Sequence, residues 1–260
     1  MAHDQFPASD EALEERLSRP DQETIAALAA LDGDVIVLGA GGKMGPTLAR
    51  MARRALGNSA RRVLAVSRFS DGAVVSALEA ADVEVLRADL ANPQQVSALP
   101  HAANVLWMAG QKFGTTGDPV GTWTHNVVAS VHAAEHYAGA RIVCFSTGNV
   151  YGRSAVARGG SQEGDALLPD GEYAASTIGR ERVFESVARR SGSPLLLYRL
   201  FYAADLRSGV VTQIARKGLP AEPRALGPGA ARGCCCLPDG PKARSAPRLS
   251  CAASRTRRRR

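Results

Sequence analysis

Four glycines crowd one short stretch of this chain, LGAGGKMGPTLARMA, at Gly39, Gly41, Gly42 and Gly45, with Lys43 and Met44 between the last two. The stretch follows an apolar run and opens a segment of helical period. A glycine at the first position allows a tight strand-to-helix turn. The middle ones let main chain approach a diphosphate, and the last permits close helix–strand packing. The helix start adds unpaired N–H groups and the positive end of a dipole. This is chemistry for holding a dinucleotide; the alternative, a merely tight turn, needs four glycines to coincide. The next apolar run ends at Ser67–Arg68. An NAD-selective site would place Asp or Glu there, on the ribose 2′-hydroxyl. A hydroxyl and a guanidinium would instead accept a 2′-phosphate. NADP is therefore the expected cofactor, with NAD also accommodated; the competing reading has Arg68 facing solvent or stacking on adenine.

The other reactive side chains suggest no metal. Cys144 stands in the strand-like run RIVCFS, where a buried, inert thiol is expected. Cys234, Cys235, Cys236 and Cys251 have no histidine pair near them at zinc-site spacing. His125, His132 and His136 fall on one helix, without acidic or cysteine partners at ligand spacing, and read as a solvated face.

The elements that must position the glycine turn are legible in the period of the apolar residues. Short runs rich in Val, Leu and Ile occupy 34–39, 62–67, 83–90, 104–110, 141–147 and 194–201. They are continuous rather than alternating, as in strands covered on both faces. Helix-period stretches lie between them. In 119–137 the stripe Val120, Trp123, Val127, Val131 and Ala134 is expected to face inward, and in 172–189 the stripe Ile178, Val183, Phe184 and Val187. Strands alternating with helices predict an α/β fold: a Rossmann-like, doubly wound parallel sheet of about six strands with helices on both faces. Residues 1–33 read as an N-terminal helical extension broken at Pro20, and 34–220 as the dinucleotide-binding domain.

After about Pro220 neither period survives. Residues 221–260 are rich in Pro, Gly, Ala, Arg, Ser and Cys, and are expected to form a disordered tail. Their composition is that of a GC-rich gene read out of frame. Of the 32 Lys+Arg and 25 Asp+Glu in the chain, ten and two fall in this tail, which leaves 22 basic and 23 acidic residues elsewhere. The net charge of +7 therefore belongs to the tail, and no specific nucleic-acid partner is expected of the domain. No run of 18 apolar residues occurs, and the acidic start MAHDQFPASDEALEERL has no signal-peptide core, so a cytoplasmic protein without a membrane span is expected.

With GAGGKMG, RADL, MAG, FSTGNVYG and GEYAAS in order, residues 34–220 resemble the extended short-chain dehydrogenases, the NAD-dependent epimerase/dehydratase family. The most specific piece is STGNVYG, followed 22 residues after Tyr151 by Tyr173. The resemblance implies that Asp89 and Leu90 lie by the adenine and Ala109 and Gly110 along the cofactor. It further implies that Thr147 hydrogen-bonds a substrate oxygen and that Tyr173 exchanges a proton with it. A phenol can do this if its ordinary pKa of about 10 is lowered, which the family achieves with a lysine four residues on. Here that position is Thr177. Arg180 lies two turns beyond the tyrosine, and Lys112 in GQKFG is the candidate substitute. RLFYAADLR departs from the family as well, which usually has Asn near Tyr202. An atypical branch carrying STGNVYP, GEYAQS and RLNYA-type strings also lacks the lysine. The family pattern ends near residue 220, where a substrate-binding lobe would begin. The implied function is oxidoreduction or epimerisation of a hydroxylated, sugar-like or nucleotide-sugar-like small molecule. A homodimer through the helices near 119–137 and 172–189 is implied too. The alternative, favoured by Thr177, is an NADP-binding sensor or scaffold without turnover.

Overall fold

The computed structural model describes residues 7–154, 157, 159–203, 207, 212 and 214. The chain divides into two units, Met1–Gly218 and Leu219–Arg260, and the expectations for residues 221–260 lie outside the described residues.

Six strands form one parallel sheet: β1 (Val35–Leu38), β2 (Val63–Ser67), β3 (Glu84–Arg87), β4 (Asn104–Trp107), β5 (Arg141–Thr147) and β6 (Leu195–Leu200). Their order is β3-β2-β1-β4-β5-β6, with Leu38 level with Val66 on one side and Trp107 on the other. This is the doubly wound Rossmann arrangement, and the order reverses between β1 and β4. Ligands of such sheets settle outside the carboxyl ends of the strands at that reversal.

Helices supply the covers. They are α1 (Asp10–Leu17), α2 (Gln22–Ala29), α3 (Gly45–Leu56), α4 (Gly72–Glu79), α5 (Pro93–Ser97), α6 (Pro119–Trp123), α7 (Ala129–His136) and α8 (Gly171–Ser191). A π-helical turn, Thr124–Val128, joins α6 to α7. On one face, Val35, Val37, Val63 and Ala65 pack with Ala49, Ala52 and Leu56 of α3 and Leu78 of α4. On the other, Ile36, Leu38, Leu64, Val105, Trp107 and Ile142 pack with Ala129, Ala133 and Ala134 of α7 and Phe184 and Val187 of α8. Successive residues of β1 thus serve opposite cores, which is why that strand is apolar throughout. The edges differ from the expected double cover. Leu196 and Tyr198 of β6 are 56% and 47% exposed, because among the described residues no helix lies over that face of the last strand.

Before the sheet lie two short helices, α1 and α2, on either side of Pro20. The Ser9 side chain caps α1 and Asp21 caps α2. Glu14 of α1 accepts from Thr47 Oγ1 of α3 at 2.7 Å and pairs with Arg207, which fastens the extension to the start of α3.

The 119–137 region corrects the sequence reading. It is helical, but its buried residues are Thr122, Asn126, Ala129, Ser130, Ala133, Ala134 and Tyr137. Of the expected inward stripe only Ala134 is buried; Val127 is half-buried, while Val120, Trp123 and Val131 are exposed. The π-helical turn inserts a residue and resets the helical phase, so no single stripe runs the length of the segment. Small residues on the inner side bring α7 close to the sheet, and the hydroxyls of Thr122 and Ser130 are satisfied by their own helix.

Candidate active site

The carboxyl ends of β1, β2 and β4 meet at the glycine turn. Gly39 has φ +92°, and a Cβ on it would lie 2.4 Å from the Ala109 nitrogen, so the turn and the β4 loop touch main chain to main chain. A Cβ on Gly41 would meet Ser67 Oγ at 2.7 Å, and one on Gly45 the Ala40 oxygen at 2.5 Å. Main-chain packing demands glycine at 39 and 45, whereas at Gly41 the Ser67 side chain would have to turn aside. Gly42 is different. It is exposed, and a Cβ there would touch only Gly39 O, at 3.5 Å. The turn is therefore open above Gly42.

The helix that follows is also open. Side chains of Ser9, Asp21, Asp71, Asn92 and Asp118 cap α1, α2, α4, α5 and α6, whereas α3 begins at Met44 with no side-chain cap. Its first turn, to which Pro46 contributes no N–H, lies next to exposed Gly41, Gly42 and Lys43. An uncapped N-terminus below an open glycine turn fits a dinucleotide's diphosphate. Lys43 donates from Nζ to Ala203 O, which ties the turn to the chain after β6. Ser67 is half-buried under Gly41 and Arg68 is exposed next to it. Asp89 lies just beyond β3, accepting from the Ala91 amide at 3.0 Å, with Leu90 buried behind it.

The loop after β4 is held from below by Asn126, which the sequence reading passed over, and by Arg180. Asn126, wholly buried in the π-helical turn, accepts from the Gln111 amide at 2.6 Å and donates to Gln111 O at 3.1 Å. Its amide also reaches Ser176 Oγ on α8 at 2.9 Å. Arg180 donates from Nη1 to Ala109 O at 2.9 Å. A polar seam thus joins α8, the π-helical turn and the Ala109–Gln111 loop. Its only signal in the sequence was a set of polar residues on otherwise buried helices. Lys112 is exposed, its ammonium 5.8 Å from the Phe113 ring.

Thr147 ends β5. It is buried, and its Oγ1 accepts from the Asn149 amide at 3.3 Å, capping the 3₁₀ turn Gly148–Tyr151. Tyr173 sits in the first turn of α8, half-buried, and its hydroxyl has no hydrogen-bond partner among the described residues. Thr177 is turned away. It is wholly buried, and its hydroxyl donates to Tyr173 O at 2.7 Å, along its own helix. The β5 end and α8 are joined by an ion pair. Glu181, 0% exposed, receives Arg199 of β6 through Nε at 3.0 Å and Nη2 at 2.8 Å, and also the Ser146 hydroxyl. Arg199 Nη1 continues to the Tyr151 hydroxyl at 2.7 Å. The Glu181 carboxylate raises the Arg199 pKa and keeps the guanidinium charged. Beneath them, burial pushes the Cys144 thiol up to about 12, against the opposing pull of the Arg180 guanidinium.

Among the described residues no cluster of His, Cys, Asp or Glu could hold a metal ion, and no helix is long and apolar enough to cross a membrane.

A model of the NAD dependent epimerase/dehydratase family matches residues 35–220. No curated protein matches the chain. The chain is similar to the solved structure of MoeE5 in complex with UDP-glucose and NAD, with 26% identity and a TM-score of 0.53, over 66% of this chain and 55% of that one. It is also similar to DesIV, a dTDP-glucose 4,6-dehydratase from Streptomyces venezuelae with NAD and TYD bound (20% identity, TM-score 0.57, 64% and 55% covered). A third such structure is UDP-glucuronic acid 4-epimerase from Bacillus cereus in complex with NAD (18% identity, TM-score 0.52, 65% and 56% covered). The last two share the fold. In each case the match spans little more than half of the solved chain.

Proposed function

Because this chain belongs to the NAD dependent epimerase/dehydratase family, we propose that it is an NADP-dependent oxidoreductase or epimerase of a hydroxylated, sugar-like or nucleotide-sugar-like small molecule. NAD is the second cofactor it would accept. The observation that carries the reading is the open glycine turn: an exposed Gly42 above an α3 without a side-chain cap, with room that nothing among the described residues fills. Gly39, Gly41, Gly42, Lys43, Met44 and Gly45 would hold the diphosphate, and Ser67 and Arg68 the 2′-phosphate. Asp89 and Leu90 would border the adenine, and Ala109 and Gly110 the far half. A bound nicotinamide supplies a hydride acceptor or donor. The chain's own part is to hold the substrate oxygen with Thr147 and to give or take its proton at the Tyr173 hydroxyl.

The test is a titration of NADPH by fluorescence, followed by a screen of sugars and nucleotide-sugars for absorbance change at the nicotinamide band. Binding with turnover is expected, and Tyr173→Phe should cut turnover by about 10²–10⁴-fold with little change in binding. A folded chain that binds no dinucleotide would sink the proposal.

A second reading, an NADP-binding sensor or scaffold, is favoured by Thr177, whose hydroxyl is spent on its own helix. Binding without turnover, in the wild type and in Thr177→Lys, would select it. The exposed Val120, Trp123, Val128 and Val131 support a homodimer along α6, α7 and α8, and a cytoplasmic setting suits both readings.

A further inference from the structure

Arg180 is a charge that the protein's packing does not explain. It is 4% exposed, and its Nε is buried without an acceptor. Its neighbour Glu181 is committed to Arg199 and Ser146, and no carboxylate among the described residues forms an ion pair with Arg180. The adjacent Cys144 thiol is neutral and cannot offset it. A leucine or methionine would fill the same volume at lower cost, since a desolvated cation without a counter-charge is unfavourable. Its position shows what the charge faces. Seven residues separate it from Tyr173 on α8, nearly two full turns, so both leave the same face of the helix. Its Nη1 donates to Ala109 O, and a Cβ on Gly110 would meet that Nη1 at 2.6 Å. Gly110 itself is exposed on its outer side. The Ala109–Gly110 main chain touches Gly39 at one end and Arg180 at the other. A ligand running from the phosphate turn towards Tyr173 therefore crosses Gly110, one backbone thickness above a buried positive charge.

We propose that Arg180 is a positioning residue for the reactive half of this cleft: it holds the Ala109–Gly110 turn and biases the site towards the reduced nicotinamide dinucleotide, whose ring is neutral, over the oxidised form, whose ring is cationic. This rests on the dinucleotide-binding reading above. Neither Thr177, whose hydroxyl stays on its own helix, nor Lys112, which is exposed, supplies such a charge from below. Were the nicotinamide ring to lie over Gly110, a unit charge beneath that loop, acting across an effective dielectric of about 20, would shift the relative affinity of the two forms by about tenfold.

Calorimetry on the full chain decides it, with NADP and NADPH as one pair and NAD and NADH as the other. The wild type should bind the reduced member of a pair about tenfold more tightly than the oxidised member. Arg180→Met should erase that preference, weakening the reduced form relative to the oxidised, and Arg180→Lys should restore most of it. A residue that served only to brace the loop would weaken both forms alike. An Arg180→Met chain that keeps its circular dichroism and its preference overturns the inference, and so does a wild type with equal affinity for both forms. The wild-type ratio therefore still decides if Arg180→Met does not fold. Binding with an unbiased ratio removes this inference alone; a folded wild type that binds none of the four removes it together with the proposed function.

Discussion

At the scale of single residues, the glycine turn separates what the fold needs from what a ligand needs. Gly39 combines a positive φ with a main-chain neighbour 2.4 Å from any Cβ. Gly39→Val should therefore destabilise the chain by about 2–4 kcal/mol, read as a lower melting temperature. Gly42 has neither constraint. Gly42→Val should leave the melting temperature nearly unchanged and, on the proposed function, weaken dinucleotide binding at least about tenfold, because its side chain would occupy the space above the uncapped end of α3. Cys144 gives a different test. Burial raises its pKa from the ordinary 9.0 to about 12. The folded thiol stays protonated while the unfolded one ionises, so this contribution to stability is whole below pH 9 and is lost as pH rises towards 12. Cys144→Ala should flatten that alkaline loss in a urea-melt series, and the native thiol should resist disulfide reagents at neutral pH. The glycine turn was readable from the sequence because its four glycines and Lys43 sit on one contiguous stretch. Asn126, Ser176 and Arg180 were not, since their roles arise from three separated segments meeting under one loop.

Among the elements, α8 is where sequence period and tertiary role part company. Phe184 and Val187 face the core as their spacing implied. The same helix also buries Ser176, Thr177, Arg180 and Glu181, which hydropathy alone assigns to solvent. They are tolerated because each has a partner: Ser176 on Asn126, Thr177 on its own helix, Arg180 on Ala109 and Glu181 on Arg199. Gly192, left-handed at φ 72°, then stops the helix and turns the chain into β6. Glu181→Ala would leave the Arg199 guanidinium partly buried and unpaired. A loss of about 3–5 kcal/mol in denaturant unfolding is expected, and a charge-conserving Glu181→Asp should recover part of it. The helical segment before it shows the converse. Its apolar stripe was real as a pattern, yet one π-helical turn rotated it outward and put Asn126 inside.

For the whole molecule, two surfaces remain apolar among the described residues. One is the outer side of α6 and α7, with Val120 at 78%, Val128 at 44%, Trp123 at 41% and Val131 at 37% exposure. The other is the open face of β6, with Leu196 and Tyr198. If the first is a dimer contact, Trp123→Arg combined with Val131→Lys should convert a dimer to a monomer in sedimentation while leaving circular dichroism intact. A monomeric wild type at micromolar concentration would remove that role.

The sequence by itself determined the alternation of strands and helices, the parallel doubly wound sheet and the glycine turn. These depend on period and on local backbone demands, which contiguous residues carry. Only the tertiary structure decided which face of the 119–137 segment is buried and that Arg180 lies beneath Gly110. Those outcomes are set by contacts between residues 15 to 71 positions apart, and their energies belong to no single segment of the chain.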